Sequence, residues 1–432
     1  MVIRRFFKGR LWRRHAVAAA AGISCLTLAL SGPAQAQYYK RWQIFGAEKA
    51  SYWEQPSRYS DYLRQRELQP PIGHPTLSKT NLKPTNAAIK RYAAIVSKGG
   101  WKPIPMVEMR PGSTGKAVYL LRQRLLASGD IVPSGGRQDR LDYYLQKAVV
   151  RFQTRHGLPP SGIVDKSTLY ALNVPAKERL RQLRVNQARL RTLSARAAGK
   201  YVVVNIPAMQ IEAVDQDRVV SRHAAVVGKI DRRSPILSSA VHEINFNPYW
   251  HVPASIVRKD LVPKARQYAR KGKDILSIYR IDAFDSSGRK LNPARINWHS
   301  NAVYGYRYRQ QPWKDNSMGF VKINFHNKHS VYLHDTPSKN LFARNFRAHS
   351  SGCVRVQNVS QLVAWMLAPN GDWDINRVRR MKETGERKDV RLKRRMPIYM
   401  VYITAWATPD GVTHFRRDLY KRDGVGALAS AY

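Results

Sequence analysis

Cysteine is almost absent: the 432 residues contain two, Cys25 and Cys353. A disulfide framework is therefore excluded, and so is any cysteine-rich metal site. Acidic side chains are also scarce, 29 against 75 Lys and Arg, which gives a formal charge of +46. Such a field attracts polyanions. Beyond the first thirty or so residues no run is apolar enough for the ~20 residues that a membrane-spanning helix needs. There is no H-E-x-x-H, no paired C-x-x-C and no phosphate-cradling glycine loop, so no metal and no cofactor is implied. Zinc-finger spacing and RNP-like segments are missing too, which argues against nucleic acid as the partner despite the charge.

What is present first sets the compartment. Arg4, Arg5, Lys8, Arg10, Arg13 and Arg14 precede an apolar run from Ala16 to Leu30, then Ser31-Gly32-Pro33 and Ala34-Gln35-Ala36. That order reads as a secretory signal over residues 1–36, cleaved near Ala36. The run is short for a membrane anchor. Lipidation at Cys25 is disfavoured because apolar residues continue past it and Gly22 stands where a lipoprotein signal usually has leucine. Export leaves a mature chain of about +40. It also moves the expected polyanion from nucleic acid to cell-wall polymers and anionic envelope surfaces. The basic run Arg377 to Arg395 reads as a solvated loop or helix face.

The mature chain divides into blocks. Residues 37–105 form a small helical N-terminal region, with one helix near Asn86 to Ser97 before Gly99-Gly100-Trp101. Residues 106–175 predict three helices. Val118, Leu121 and Leu125 recur at helical spacing, as do Leu145, Ala148 and Phe152, then Thr168, Leu169 and Leu172. Residues 176–199 predict a helical linker carrying Leu180, Leu183, Leu190 and Leu193. From residue 200 to 432 the pattern is mainly β, with runs at Tyr201 to Ile206, Ile211 to Val214, Ala224 to Val227, Ala240 to Phe246, Val321 to Phe325, Val331 to Leu333 and Ile398 to Thr404. Residues 254–312 interrupt it as an insertion of helical character with a hairpin-like Asp285-Ser286-Ser287-Gly288. An insertion this long suggests a lid or substrate wall.

Cys353 lies in Ser350-Ser351-Gly352-Cys353-Val354-Arg355, downstream of Val331-Tyr332-Leu333-His334-Asp335-Thr336-Pro337. By residue type alone a free cysteine is either a small buried hydrophobe or a nucleophile. A histidine returned beside the thiol would activate it near neutrality. A strand over Val331 to His334 would put Tyr332 and His334 on one face. Gly352 permits a tight turn, and the amides around Ser351 to Cys353 are candidates for an oxyanion pocket.

These segments resemble the L,D-transpeptidase (YkuD) catalytic domain, a strand histidine followed by S-x-G-C. The longer wording resembles the large periplasmic Gram-negative type, on Y-L-H-D-T-P, R-A-x-S-S-G-C-V-R-V, and Thr404-Ala405-Trp406 followed by Phe415-Arg416-Arg417-Asp418-Leu419-Tyr420. Residues 106–175 resemble the peptidoglycan-binding domain type 1 through Arg110-Pro111-Gly112-Ser113, Phe152-Gln153, Gly162-Ile163-Val164-Asp165 and Thr168-Leu169. One departure is Pro312-Trp313 and Asn316-Ser317-Met318-Gly319, where relatives carry Pro-Gly and Asn-x-Leu-Gly. The resemblance implies a multidomain periplasmic enzyme with Cys353 as nucleophile and His334 as proton acceptor and donor. Tyr332, Ser351 and Gly352 would shape the pocket; Arg355, Arg347 and Arg344 are candidates for receiving stem carboxylates, each otherwise a solvated or structural arginine. It further implies 3→3 cross-linking of peptidoglycan tetrapeptide stems to diaminopimelate acceptors, and acylation by carbapenems. Attachment or release of a wall-linked protein by the same chemistry, or a non-catalytic wall-binding scaffold, are the alternatives.

Overall fold

Runs that read as continuously apolar become strands buried on both faces, and runs of helical period become helices packed along one stripe. The computed structural model describes residues 73–133 and 137–424. The expected signal peptide and most of the expected 37–105 region lie outside the described residues. Within that region α1 (Leu82–Ser97) starts four residues earlier than the periodicity predicts. Pro84 sits in its first turn, where a missing N–H leaves no bond unmade.

The three-helix unit comprises α2 (Lys116–Ala127), α3 (Tyr143–Arg155) and α4 (Lys166–Leu172). Its core contains Val118, Leu121, Leu125, Leu145, Ala148, Phe152, Leu169 and Leu172 as the spacing predicts, joined by residues the spacing does not mark, such as Met109, Ile131, Leu141 and Val149. Its characteristic polar residues hold the backbone in place. Asp142 and Asp165 cap α3 and α4 by accepting from the Leu145 and Thr168 amides, each at 2.8 Å. Gln153 donates to the Ile163 carbonyl at 2.7 Å and accepts from the Gly162 amide at 2.9 Å, tying the Gly162-to-Asp165 turn to α3.

Helix α5 (Ala176–Ser194) follows and is docked rather than spanning a gap. Leu180 and Leu183 share a cluster with Tyr92 of α1 and with Ala405 and Phe415 far along the chain. Gln182 donates to the Arg416 carbonyl at 2.9 Å, and Asn186 donates to Thr404 Oγ1 at 2.7 Å.

The β domain runs through β1 (Lys200–Asn205), β2 (Gln210–Asp215), β3 (Arg218–Gly228) and β4 (Leu237–Phe246) into the insertion. The insertion begins four residues before the expected 254, with β5 (Trp250–His251), and continues through α6 (Val262–Ala269), α7 (Ile275–Tyr279), β6 (Ile281–Phe284) and β7 (Arg307–Gln310). Then come β8 (Val321–Phe325), β9 (Leu333–His334), β10 (Ala348–Ser350), β11 (Val354–Val356), α8 (Val359–Leu367) and α9 (Ile375–Thr384). The chain ends its regular structure with β12 (Lys388–Val401), β13 (Ala405–Ala407) and β14 (Thr413–Phe415).

Nine strands form one sheet in the order β10-β3-β11-β9-β8-β4-β12-β1-β2, and β2 pairs back onto β3 to close it. The joins β1–β12, β9–β11 and β3–β10 are parallel. Val202, Val204, Ile398 and Met400 face an inner core with Leu362 and Met366 of α8. Tyr201, Val203, Tyr399 and Val401 face outward and are covered by Leu77, Leu190 and Trp406. That double covering is why β1 reads as an unbroken apolar run.

Two differences from the sequence reading have clear causes. The late strand begins at Lys388, not Ile398, so half of the basic run is β-structure. Val390 and Leu392 are buried while Arg391 and Lys393 are exposed, a period of two hidden among charges. The insertion is not merely helical, since β5, β7 and β6 make a sheet of their own around a separate core of Leu261, Leu276, Tyr279 and Tyr308. The Asp285 turn closes as read, with the Arg289 amide on Asp285 Oδ1 at 2.9 Å.

The seam between the three-helix unit and the β domain contains a buried ion pair. Arg155 holds Asp130 through two bonds of 2.5 and 2.6 Å, and donates to the Thr413 carbonyl of β14 at 3.2 Å. Asp130 and Arg155 are 5% and 7% exposed. Replacing Arg155 by Met leaves a buried carboxylate without its cation, which should cost about 3–5 kcal/mol. Denaturant unfolding measures this; a loss under about 1 kcal/mol would show that the pair does not join the two parts.

Candidate active site

Cys353 sits where the chain reverses between β10 and β11. Gly352 there has φ +117, a conformation that side chains rarely tolerate. Ser350 Oγ spans the turn, accepting from the Gly352 amide at 3.2 Å and donating to the Cys353 carbonyl at 2.5 Å. Ser234 Oγ donates to the Gly352 carbonyl at 2.7 Å and accepts from the Gly228 amide at 2.9 Å. The Tyr420 hydroxyl in turn donates to the Gly228 carbonyl at 2.6 Å and accepts from the Ser234 amide at 3.1 Å. Arg232 donates to Ser351 Oγ at 3.0 Å while pairing with Asp260 of the insertion at 2.5 Å. The Cys353 turn is thus fixed from three sides.

Register places the rest. His334 of β9 lies opposite Arg355 of β11 on one side and Lys322 of β8 on the other. Residues opposite one another in a ladder share a face, so two cations flank one imidazole. Tyr332 stands beside them, its ring 5.6 Å from that of His334 and 4.7 Å from Lys322 Nζ. Cys353, His334, Tyr332, Ser351 and Arg355 line one cavity of about 320 Å³. Trp250 and the Pro253-to-Ile256 segment of the insertion form its far wall.

Burial dominates the electrostatics. It lowers His334 to about 3, with Arg355 adding to the effect and the Asp335 backbone opposing it. Burial also pushes the Cys353 thiol upward, opposed by hydrogen bonds from the Tyr332 backbone and hydroxyl and by the charges of Lys322 and Arg355. Arg355 is pulled down to about 10 by burial. It remains a cation at neutral pH, and its Nε has no hydrogen-bond partner among the described residues. At rest the cavity therefore holds a neutral thiol, a neutral imidazole and uncompensated positive charge.

The structure brings together Cys353, His334, Tyr332, Ser351, Gly352 and Arg355. It does not bring Arg344 or Arg347 to them, contrary to the sequence reading. Arg347 donates to the carbonyls of Arg344, Met209 and Ala225 at 2.8, 3.2 and 3.3 Å. Because β10 runs between them, residues 344–347 lie at the opposite end of that strand from Cys353. The altered turn Asn316-Ser317-Met318-Gly319 is well formed. Asn316 Oδ1 accepts from the Met318 amide at 2.8 Å, and Gly319 has φ +60 with no room for a Cβ beside the Asp335 carboxylate. Met318 reaches the cavity wall. Sequence reasoning missed Lys322, Trp250 and Arg232. Only Lys322 had a local signal, as a polar position in the alternating Val321-Lys322-Ile323-Asn324-Phe325.

Residues 199–392 match the family described as the L,D-transpeptidase catalytic domain (YkuD), and residues 114–172 match a "putative peptidoglycan binding domain". A curated relative from Haemophilus influenzae, named "putative L,D-transpeptidase", is 29% identical over 243 residues, covering 56% of this chain and 48% of its own length. The chain thus spans about half the length of the curated relative it matches. Solved structures that are similar include an L,D-transpeptidase from Xylanimonas cellulosilytica, with 18% identity, TM-score 0.22, and 69% of this chain and 100% of that chain covered. Another is from Mycobacterium smegmatis, with 14% identity, TM-score 0.21, and 48% and 59% covered. The chain is accordingly multidomain, with a YkuD-like β domain, a helical unit matching a peptidoglycan-binding domain, and helical structure at its N-terminal side.

The charge state gives a pH prediction. With the thiol raised and the imidazole lowered, iodoacetamide alkylation of Cys353 should accelerate steadily from pH 6 to above 9, with no step near ~6.5, the ordinary histidine value. A rate already flat at pH 7 would mean a preformed thiolate–imidazolium pair. For folding the sign is opposite to that of a paired histidine. The unfolded imidazole binds its proton below ~6.5 while folded His334 does not until about 3, so its contribution is complete above ~6.5 and is lost as pH falls toward 3.

Proposed function

We propose that this chain is a periplasmic peptidoglycan L,D-transpeptidase forming 3→3 cross-links through a thioester on Cys353. The observation that carries this reading is the single walled cavity in which the free thiol, the neutral His334 and the unpartnered cation Arg355 converge. The domain matches support peptidoglycan as the polymer acted on.

Cys353 Sγ attacks the carbonyl of the third residue of a tetrapeptide stem as its proton passes to His334. Proton transfer accompanies attack, because burial disfavours both charged forms beforehand. Lys322 and Arg355 stabilise the negative charge that develops. The Gly352 amide is engaged by Ser350, which leaves the Ser351 and Cys353 amides as candidates for the oxyanion. Collapse expels the terminal D-alanine, which takes the proton from His334. The side-chain amine of a diaminopimelate residue on a second stem then attacks the thioester and gives its proton to His334. The thiolate leaves and is reprotonated, and an isopeptide bond has replaced the broken peptide bond without ATP. Arg355 is the group that meets a stem carboxylate. Strained β-lactams, carbapenems above all, would acylate the same sulfur.

Incubating purified sacculi with the protein, digesting them and identifying muropeptides by mass tests this reading. Wild type should yield 3→3 dimers, and Cys353→Ala none. His334→Ala should be slower by roughly 10²–10⁴-fold, the range for general acid–base catalysis. Trimmed tripeptides without dimers would show water as the acceptor, and stems joined to protein would show attachment. Dimers made equally by Cys353→Ala would exclude the mechanism.

A further inference from the structure

The loop between β3 and β4, residues 229–236, is bound to the Cys353 turn near both of its ends. The Lys229 amide donates to the Ser350 carbonyl at 3.0 Å, and Ser234 Oγ donates to the Gly352 carbonyl at 2.7 Å. At its base a Cβ on Gly228 would collide with the Arg232 carbonyl, so the loop packs tightly against the end of β3. That packing carries Arg232 in a fixed place beside the turn.

Arg232 Nη1 has two hydrogens and two partners. It donates to Asp260 Oδ2 at 2.5 Å and to Ser351 Oγ at 3.0 Å. The Arg232 and Asp260 side chains are 15% and 11% exposed, so this is not a solvent-screened surface pair. A guanidinium has no lone pair, and Ser351 can only accept from it. Ser351 lines the Cys353 cavity, and its hydroxyl hydrogen meets no acceptor among the described residues. A hydroxyl that accepts from a cation is polarised into a stronger donor. What is left for it to meet is an oxygen brought into the cavity.

Asp260 comes from the insertion. Pro253 to Ile256 form cavity wall, and the same helical segment continues as a π turn, Val257–Leu261, closed by the Val262 amide on the Val257 carbonyl. Val257 and Leu261 are buried in the insertion's own core. One short segment thus carries both the wall and the carboxylate that orients Arg232. The other acid within ion-pair distance of Arg232 is the exposed Asp231, 3.7 Å from Nε.

We propose that Arg232 is a positioning residue. It sets the Ser351 hydroxyl as a donor to the carbonyl oxygen that becomes the oxyanion, and Asp260 makes this setting depend on the insertion wall being seated. The inference rests on the transpeptidase reading and adds a side-chain donor to the amides of the turn. Arg232 acts through Ser351 rather than as a field on the nucleophile, since the charges that bear on Cys353 are those of Lys322 and Arg355.

The test is a double-mutant cycle on the full chain, following alanine release from a tetrapeptide donor with an amine acceptor present. Ser351→Ala should lower kcat by about 10²-fold, the loss of one oxyanion donor, and Arg232→Met by about tenfold with KM within about twofold. In the Ser351→Ala background Arg232→Met should cost no more than about twofold further, because its route to substrate is already gone. Asp260→Asn should behave as Arg232→Met does, and completes the same cycle should Arg232→Met fail to fold. Arg232→Lys, which keeps a cation between the two partners, should recover most of kcat. Iodoacetamide alkylation of Cys353 should keep its wild-type rate and pH dependence throughout. Multiplicative losses in the double variant, or wild-type turnover by Ser351→Ala, would overturn the proposal. So would an altered alkylation profile in the Arg232 and Asp260 variants, which would mean that the pair merely holds the turn. No alanine release by wild type would sink the transpeptidase reading and this inference with it, whereas wild-type turnover with multiplicative losses sinks this inference alone.

Discussion

The site depends on holding one strained turn still. Gly352 adopts a backbone conformation closed to other residues, and the thiol points where it does only while that turn is fixed. The restraint comes through a relay in which Tyr420 grips Gly228 and Ser234, and Ser234 grips the Gly352 carbonyl. The relay continues backward. The Tyr420 amide donates to the Tyr402 hydroxyl at 2.6 Å, and that hydroxyl donates to Asp418 at 2.6 Å. Arg189 of α5 donates to the Tyr402 carbonyl at 3.1 Å. Residues at the end of the β domain and in the helix before it therefore hold the Cys353 turn without lining the cavity.

The second constraint is charge. Lys322, His334 and Arg355 form a row across three adjacent strands; Arg355 lines the cavity, and the charge of Lys322 reaches Cys353 beside it. Burial first, and that field second, keep the histidine neutral, and an anion is favoured beside it. In the proposed reaction the two anions are the developing thiolate or oxyanion and the carboxylate of a stem. The insertion contributes both the far wall and, through Asp260 on Arg232, a tie to Ser351.

Much of this was legible in the sequence. Helical spacing predicted the central residues of the three-helix unit's core, such as Leu121, Leu145 and Phe152, and the apolar runs marked most of the sheet. A lone thiol after Ser-Ser-Gly, with a histidine upstream on a strand, pointed to the cavity. What was illegible depended on register and pairing. Lys322 matters because β8 places it opposite His334, which no local pattern states. Arg344 and Arg347 have the right chemistry and lie near Cys353 in sequence, yet one short strand carries them to its other end. The first half of β12 was obscured because charges on its solvent face outnumber the two apolar residues facing inward. The insertion's sheet was missed because its strands are short and half polar.

The most direct measurement of the central claim is to trap the acyl-enzyme. Purified protein is given a tetrapeptide donor with no amine acceptor and analysed by intact mass and peptide mapping. The account predicts an increment equal to the donor less alanine, located on Cys353, labile to hydroxylamine as a thioester is, and matched by released D-alanine. Release of alanine with no adduct on Cys353, or an adduct on another residue, would contradict it.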